Sequence, residues 1–475
     1  MRICLIVEGA YPFLTGGVSS WMQQMMTQLD DVEFIIETLS VRRDEKKEFK
    51  YMIPPNVSQV RELYLFDKDY VPGFFQKPKL TSQEYRAFRS LMFGQEVDWP
   101  CLFDFFQKKK VSVNSLLTGP DFLEMTREYY EAHHDKAVFS DFLWTMRSMY
   151  MPLFLLLKNK PTKADVYHSM STGYSGVYGS LCKYIHKKPL IVSEHGIYTR
   201  EREEEIIKAK WVRGLYKDLW IQQFKKFSQC SYDMADDITA LFEAAKDFQV
   251  ELGCPSEKIN VISNGVHLEQ FNNLVPKEAA DTFINIGAVV RVTPIKDIKT
   301  MIHAFSMAKA QVNNLKLWIM GPLTENEEYA QKCRQLVQEL EVEDVIFTGK
   351  INVKEYFGKM DMMVLSSLSE GQPLVILEGF AAKKPFITTD VGDCRNLVLG
   401  LYDNYGPAGA VVPIMGIEAM AKAMVELAQD QELRQTMGSN GYERVKNNYQ
   451  NHEVFENYHK LYLKNNQRQG YKEKR

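Results

Sequence analysis

The run Ser369-Glu370-Gly371-Gln372-Pro373-Leu374-Val375-Ile376-Leu377-Glu378 sets two carboxylates eight positions apart. The first falls in a loop after Asp361 to Leu365, an apolar run that reads as a strand. The second falls about one turn into a helix opening near Pro373, because proline suits the first helical position. A helix N-terminus offers free N–H groups and a positive dipole end to an anion. Gly371 has no side chain to hold a ligand off. Such a loop can present Glu370 to one part of a hydroxyl-rich ligand and Glu378 to hydroxyls beside it. Taken alone, the pattern also fits a capping acid and a solvated helical glutamate.

A second run, Gly287-Ala288-Val289-Val290-Arg291-Val292-Thr293-Pro294-Ile295-Lys296-Asp297, ends a strand in glycine and follows it with two cations at five-residue spacing. Such a pair can clamp a pyrophosphate and neutralise charge as a nucleotide departs; alone, it also fits two surface cations. Thr15-Gly16-Gly17-Val18 precedes the first helix, where glycines let backbone approach a phosphate. This is not the dinucleotide fingerprint, which needs G-x-G-x-x-G directly after the strand. Ser193-Glu194-His195-Gly196 closes another strand, at the end where open α/β sheets bind ligands. His195 there can donate to a ligand hydroxyl or orient an acceptor; as a lone histidine it also fits a structural role. His133-His134-Asp135 lacks a third ligand in helical register and reads as a solvated face. Asp67-Lys68-Asp69 matches a metal-binding Asp-x-Asp but lies among surface charges.

The elements that must position these residues alternate strand and helix, the signature of a doubly wound α/β fold. Ile3 to Glu8 is a continuous apolar run of the kind buried on both faces. A helix opens near Val18, with Trp21, Met22, Met25, Met26 and Leu29 on its apolar side. Strand-like runs follow at Glu33 to Glu37 and Val60 to Phe66. Residues 82–160 are rich in aromatics and charges and read as a helical insertion. Strands resume at Ala164 to His168, Leu190 to Ser193 and Asp237 to Ala240. One long amphipathic helix is expected between the last two, opening in the acidic run Glu201 to Glu205 and burying Ile207, Trp211, Leu215, Leu219 and Phe227. A second series begins at Phe283 to Gly287 and continues through Leu315 to Met320, Val345 to Phe347, Asp361 to Leu365 and Pro385 to Thr388. Gln270 to Asp281 reads as the linker. His452 to Leu463 reads as a last helix, and the basic tail from Gln467 to Arg475 as frayed.

The bulk properties agree with a two-domain globular chain. There are 475 residues, 45% of them apolar and 25% charged, too many for one ordinary core. A net charge of -3 gives no basis for general nucleic-acid binding. Seven scattered cysteines without a CxxC pair read as reduced thiols. No stretch reaches the ~20 apolar residues of a membrane span; Ala137 to Leu157 comes nearest and is interrupted by Asp141 and Arg147.

In this order, the segments resemble glycosyltransferase family four, which has the GT-B fold. The resemblance is carried by Glu8-Gly9-Ala10-Tyr11-Pro12 with Gly16-Gly17-Val18-Ser19-Ser20-Trp21, by His168-Ser169-Met170-Ser171-Thr172-Gly173, and by Glu194 to Arg202. Asn264-Gly265-Val266, Arg291 with Pro294 to Asp297, Gly321-Pro322 and the paired glutamates complete it, across nearly the whole chain. It implies an α/β GT-B architecture, two Rossmann-like doubly wound domains facing a central cleft. Residues 1–270 would form the acceptor domain, with the helical insertion at about 82–160, and 281–450 the nucleotide-sugar donor domain. A helix at about 452–466 would pack back on the first domain.

The resemblance also assigns roles. Arg291 and Lys296 would hold a donor diphosphate, and Glu378 the ribose hydroxyls. Glu370, with the backbone of Gly371, Gln372, Pro373 and Leu374, would hold the transferred hexose. Gly16 and Gly17 would face the phosphates. His195 would sit beside donor sugar and acceptor, and Ser171, Thr172 and Gly173 on the acceptor side. His195, Arg291, Lys296 and Glu370 form the expected catalytic set. The implied reaction is retaining transfer of a hexose or N-acetylhexosamine from a UDP-sugar to a growing exopolysaccharide, with no metal and no cofactor. The implied setting is cytoplasmic, with recruitment to the inner membrane face by membrane-embedded synthase or export subunits. The alternative is a non-catalytic scaffold or sugar-nucleotide-binding subunit of such a synthase. A NAD-dependent oxidoreductase would need the G-x-G-x-x-G that is missing here. Two residues depart from the family pattern, Lys384 before Pro385 and Asp393 after Gly392, and both are expected to lie off the ligand contacts.

Overall fold

Parallel strands buried on both faces need near-continuous apolar runs, and the chain begins with one. In β1 (Arg2–Glu8), Ile3, Cys4, Leu5 and Ile6 are all fully buried. The computed structural model describes all residues except 10, 44–47, 67–77, 95, 134–136 and 473–475, and not the side chains of 469–472. The Asp67-Lys68-Asp69 motif, His134 and Asp135 therefore lie outside the described residues.

Among the described residues, two parallel sheets form. The first has the order β3 (Val57–Tyr64), β2 (Glu33–Ser40), β1, β4 (Val166–Ser169), β5 (Leu190–Ser193), β6 (Asp237–Ala240), β7 (Ile259–Val261). The second runs β10 (Val345–Gly349), β9 (Leu315–Met320), β8 (Ile284–Val289), β11 (Met362–Leu365), β12 (Phe386–Thr389), β13 (Gly409–Val412). Each order reverses once, between β1 and β4 in the first sheet and between β8 and β11 in the second. Both units are Rossmann-like. Each has its own apolar core. One unit comprises Met1–Val261 with Tyr458–Arg475, the other Ile262–Asn457.

The boundary at residue 262 precedes the expected linker, because the segment before it is tied into the second unit. Asn264 bonds Gln372, and Val266 bridges to Gln450.

Between β3 and β4 lie the helices Ser82–Phe93, Trp99–Lys108, Val113–Leu117, Pro120–His133 and Phe139–Leu157. Thr81 and Glu84 form a capping box on the first, and Asp98 caps the second. Phe88 meets Phe105, Phe106 and Phe154 edge-on, so the aromatics of this segment are mainly core.

The single long helix expected from 201 to 227 is two. Tyr198–Lys208 ends where Ala209 turns extended, and Lys217–Met234 begins after a short turn at Gly214–Tyr216. The interruption resets the helical phase, so residues at helical spacing across it do not share a face. Leu219 and Phe227 are buried, but Ile207 (56%), Trp211 (69%) and Leu215 (63%) are exposed. Ile206, Val212 and Tyr216 take the buried places.

The last helix also differs from expectation, running from Asn451 to Lys472 without fraying at Gln467. Its later half is held in the first unit. The His168 ring shares hydrogen bonds with Tyr462 (2.6 Å) and Ser193 (2.7 Å). Buried Asp237 accepts from Lys464 (2.6 Å), Asn465 (2.8 Å) and Arg468 (3.3 Å). No helix among the described residues is long and apolar enough to cross a membrane.

Candidate functional site

Ligands of open parallel sheets bind at the carboxyl ends of strands where the strand order reverses. In the second unit those ends belong to β8 and β11, and the loops leaving them carry Arg291 to Asp297 and Ser366 to Pro373. The loops are stitched together. Leu368 N–H donates to the Ile295 carbonyl (2.8 Å), and the Ser366 hydroxyl donates to the carbonyls of Lys296 (2.8 Å) and Asp297 (3.0 Å). This brings the Lys296 ammonium onto the Glu370 carboxylate as an ion pair only 17% and 11% exposed. The Ser367 hydroxyl donates to the same carboxylate oxygen. Two polar atoms of this corner, Thr293 Oγ1 and Asp297 Oδ2, are buried without a partner among the described residues. Arg291 is exposed and pairs with Glu325 at 3.0 Å rather than with a member of that cluster.

The loop after Glu370 is braced from behind. Gly392 has φ +52, and a Cβ there would lie 2.2 Å from the Gly371 carbonyl oxygen and 2.4 Å from that of Glu370. Asp393 N–H donates to the Gly371 carbonyl (2.9 Å). The Gln372 side chain is spent internally, accepting from Asn264 N–H (2.6 Å) and donating to Asp393 (2.7 Å). With its side chain so engaged, Gln372 leaves its backbone for the expected ligand role, and Asp393 acts in local packing by holding this loop. Burial pushes the Asp393 carboxyl up to about 6, against its bonds from Gln372 and Asn396.

Pro373 is the cap of the helix Leu374–Ala381, one position earlier than expected. Glu378 therefore sits in the second turn, partly buried. Burial pushes its carboxyl up to about 7, opposed by the field of Lys354. Lys384 is buried enough that its ammonium is pushed down, and it reaches the Gly358 carbonyl at 3.5 Å.

In the first unit the reversal falls between β1 and β4. Glu8 ends β1, and its Oε1 accepts from the Ser171 hydroxyl (3.0 Å), from Ser175 N–H (2.9 Å) and from the Ser175 hydroxyl (3.3 Å). Glu8 thus pins the loop that carries Ser171 to Gly173. Glu8 belongs to a segment that carries the family resemblance, and its position as the last residue of the first strand is the signal for this role.

Thr172 is fully buried and donates to Glu194 at 3.0 Å. A Cβ on Gly173 would fall 2.2 Å from the Tyr198 ring. The Thr172 side chain thus packs inward, and Gly173 marks a close approach of backbone to Tyr198. Glu194 also accepts from Tyr232 (2.7 Å), Gln249 (2.9 Å) and Tyr198 N–H (3.2 Å), and burial raises its carboxyl.

His195 follows β5, its ring 4.7 Å from that of Trp21 and edge-on to it. Its Nε2 is buried without a partner among the described residues, and burial pushes the imidazole down to about 4. The ring is therefore neutral near pH 7. Gly16 and Gly17 open the helix Gly17–Gln28, and a Cβ on either would meet nothing within 4 Å. Their backbone is open to approach.

These two parallel-sheet, Rossmann-like units are those of a GT-B glycosyltransferase. The family model Glycosyl transferases group 1 matches residues 269–444. The model Domain of unknown function (DUF3492) matches residues 1–257, more than half of the chain, and the chain belongs to that family. It is 27% identical over 383 residues to the capsular polysaccharide biosynthesis glycosyltransferase CapM of Staphylococcus aureus, covering 76% of this chain and 91% of that one. It is 25% identical over 244 residues to the N-acetyl-alpha-D-glucosaminyl L-malate synthase of Bacillus anthracis, covering 51% of this chain and 60% of that one. Anabaena HepE in complex with UDP shares the fold with a TM-score of 0.63 at 14% identity, over 97% of this chain and 99% of that one. The sucrose-phosphate synthase of Thermosynechococcus elongatus does so with a TM-score of 0.62 at 16% identity, over 98% of both.

Proposed function

We propose that this glycosyltransferase transfers a hexose or N-acetylhexosamine from a UDP-sugar to a growing exopolysaccharide of the Pel kind, with retention of configuration. The observation that carries the reading is the Lys296–Glu370 pair at the reversal of the second sheet, where a cation and a carboxylate are held ready at the ligand end. CapM is named for capsular polysaccharide biosynthesis, and HepE binds UDP and glucose, which supports a UDP-sugar and a polysaccharide product.

In this reading the donor diphosphate takes the Lys296 ammonium, and Arg291 swings from Glu325 to join it. Glu370, freed from its lysine, accepts from hydroxyls of the hexose together with the backbone of Gly371 to Leu374. Glu378 accepts from the ribose. The bond from the sugar's C1 to the phosphate oxygen breaks as the acceptor oxygen bonds C1 on the same face. The departing phosphate oxygen takes the acceptor's proton. The two cations stabilise the charge that builds on the leaving UDP, without metal or cofactor. His195, neutral, offers Nε2 to a sugar hydroxyl. The setting is cytoplasmic, with recruitment to the membrane by synthase or export subunits.

UDP release from UDP-glucose, UDP-N-acetylglucosamine and UDP-N-acetylgalactosamine tests the reading. One donor should be turned over well above the others. A pure chain that neither binds UDP nor releases it from any of them ends the proposal.

A further inference from the structure

The interruption between Lys208 and Lys217 leaves Trp211 69% exposed, and Trp144 of the helix Phe139–Leu157 is 64% exposed. Both line one open cavity of about 180 Å³, with Asp141, Thr145, Ser148 and Arg213 as its polar wall. Exposed apolar surface gathered in one place and rimmed by polar groups is the pattern of a binding groove. Neither indole is loose. Trp211 stands edge-on to Trp220 at 5.4 Å, and the Arg147 guanidinium lies 4.7 Å over Trp144. Side chains fixed in advance lose little entropy when a ligand arrives.

The wall has a definite chemistry. Asp141 and Arg213 form an ion pair, so their charges cancel. The hydroxyls of Thr145 and Ser148 donate to the carbonyls of Asp141 (2.9 Å) and Thr145 (2.8 Å) in their own helix. Their oxygens are left as acceptors toward the cavity. The cavity holds about six times the ~30 Å³ of a water molecule, less than a drug-sized pocket. That suits a single ring.

We propose that this cavity is a saccharide subsite, holding one ring of a neutral polysaccharide chain on the N-terminal unit. The proposal rests on the reading of the acceptor as a polysaccharide. A pyranose has a face of C–H bonds, which stacks on an indole, and a rim of hydroxyls that both donate and accept. Indoles, a cancelled ion pair and two acceptor oxygens match both features. A lipid surface would have to bury that ion pair. A stable protein partner needs about 800 Å² per side, more than one small cavity offers.

The test is calorimetric titration of the full chain with short neutral oligosaccharides, of glucose and of N-acetylhexosamine, with UDP titrated into the same samples. Oligomers should bind, more tightly with length. Trp211→Ala and Trp144→Ala should each weaken them about tenfold, and Trp211→Phe should retain most of the binding. Both indoles are exposed, so an unchanged melting temperature certifies the fold of each variant. UDP affinity reports the donor reading separately. A sample that binds UDP but no oligomer at millimolar concentration overturns the subsite. So does oligomer binding that both alanine variants leave intact, or lipid vesicles that bind through Trp211 when oligomers do not.

Discussion

Lys296 and Glu370 are 74 positions apart and share one ion pair. Lys296→Ala should lower kcat by about 100- to 1000-fold, the usual cost of removing a donor to developing charge. Arg291→Ala should fall in the same range, because its guanidinium is exposed and free to leave Glu325. Steady-state rates with the preferred UDP-sugar check both, and near-normal turnover in either removes that residue from the clamp. Glu378 allows a cleaner test. Its ordinary value is 4.5 and burial raises it to about 7. Between those values the folded chain keeps a proton that the unfolded chain has released, so stability falls as pH rises through the window. Glu378→Gln should therefore raise the melting temperature at pH 8 by about 2–4 °C per kcal/mol relieved and change nothing at pH 4.5. A gain of equal size at both values would show that charge is not the cause. The same residue, changed to Ala, should mainly raise the donor KM, as lost uniform binding does.

At the scale of elements, the bracing of the Glu370 loop is the feature to probe. Gly392→Ala would meet two carbonyl oxygens from a backbone already at positive φ. It should cost about 1–3 kcal/mol or deform the loop. Thermal melting together with kcat separates these effects, because a deformed loop loses rate beyond what unfolding explains. The interrupted helix pair gives the opposite lesson. Spacing from Ile207 to Phe227 is regular, yet Gly214 and the extended Ala209 break the phase. Helical periodicity reports burial only while the helix continues.

At the scale of the whole molecule, the chain returns to its first unit. Tyr458 and Tyr462 are buried there, against His168 and Ser193. A chain ending at Asn457 would strand His168, Ser193 and Asp237 without those partners. It should lose the cooperative melting of the N-terminal unit, read by limited proteolysis and calorimetry; an unchanged transition would show the segment to be dispensable. Acid should act on the same region. His168 and His195 are held down to about 3 and about 4 by burial, from 6.5. The unfolded chain binds protons that the folded one refuses, so stability should fall as pH drops from 6.5 toward 4. Glu378 and Asp393 act in the opposite sense, so the check is the difference in melting temperature between the chain and its His168→Gln variant; a difference that does not change across that window would contradict it.

Among the described residues, eleven of the thirteen strands, their order of appearance, the helical segment expected at 82–160 and the loops that bear Glu370 and Lys296 were legible in the chain itself; the short strands Ile259–Val261 and Gly409–Val412 were not. Strands buried on both faces must be written as unbroken apolar runs, and loops at strand ends carry their glycines and charges in place. What only the tertiary structure decided is who meets whom. Strand order, not spacing, set β8 beside β11 and so closed Lys296 on Glu370. It put Glu8 behind Ser171, turned Gln372 inward to Asn264 and Asp393, and brought Tyr462 back to His168. Local patterns record whether a residue is buried, while the identity of a distant partner depends on packing that no short window of sequence contains.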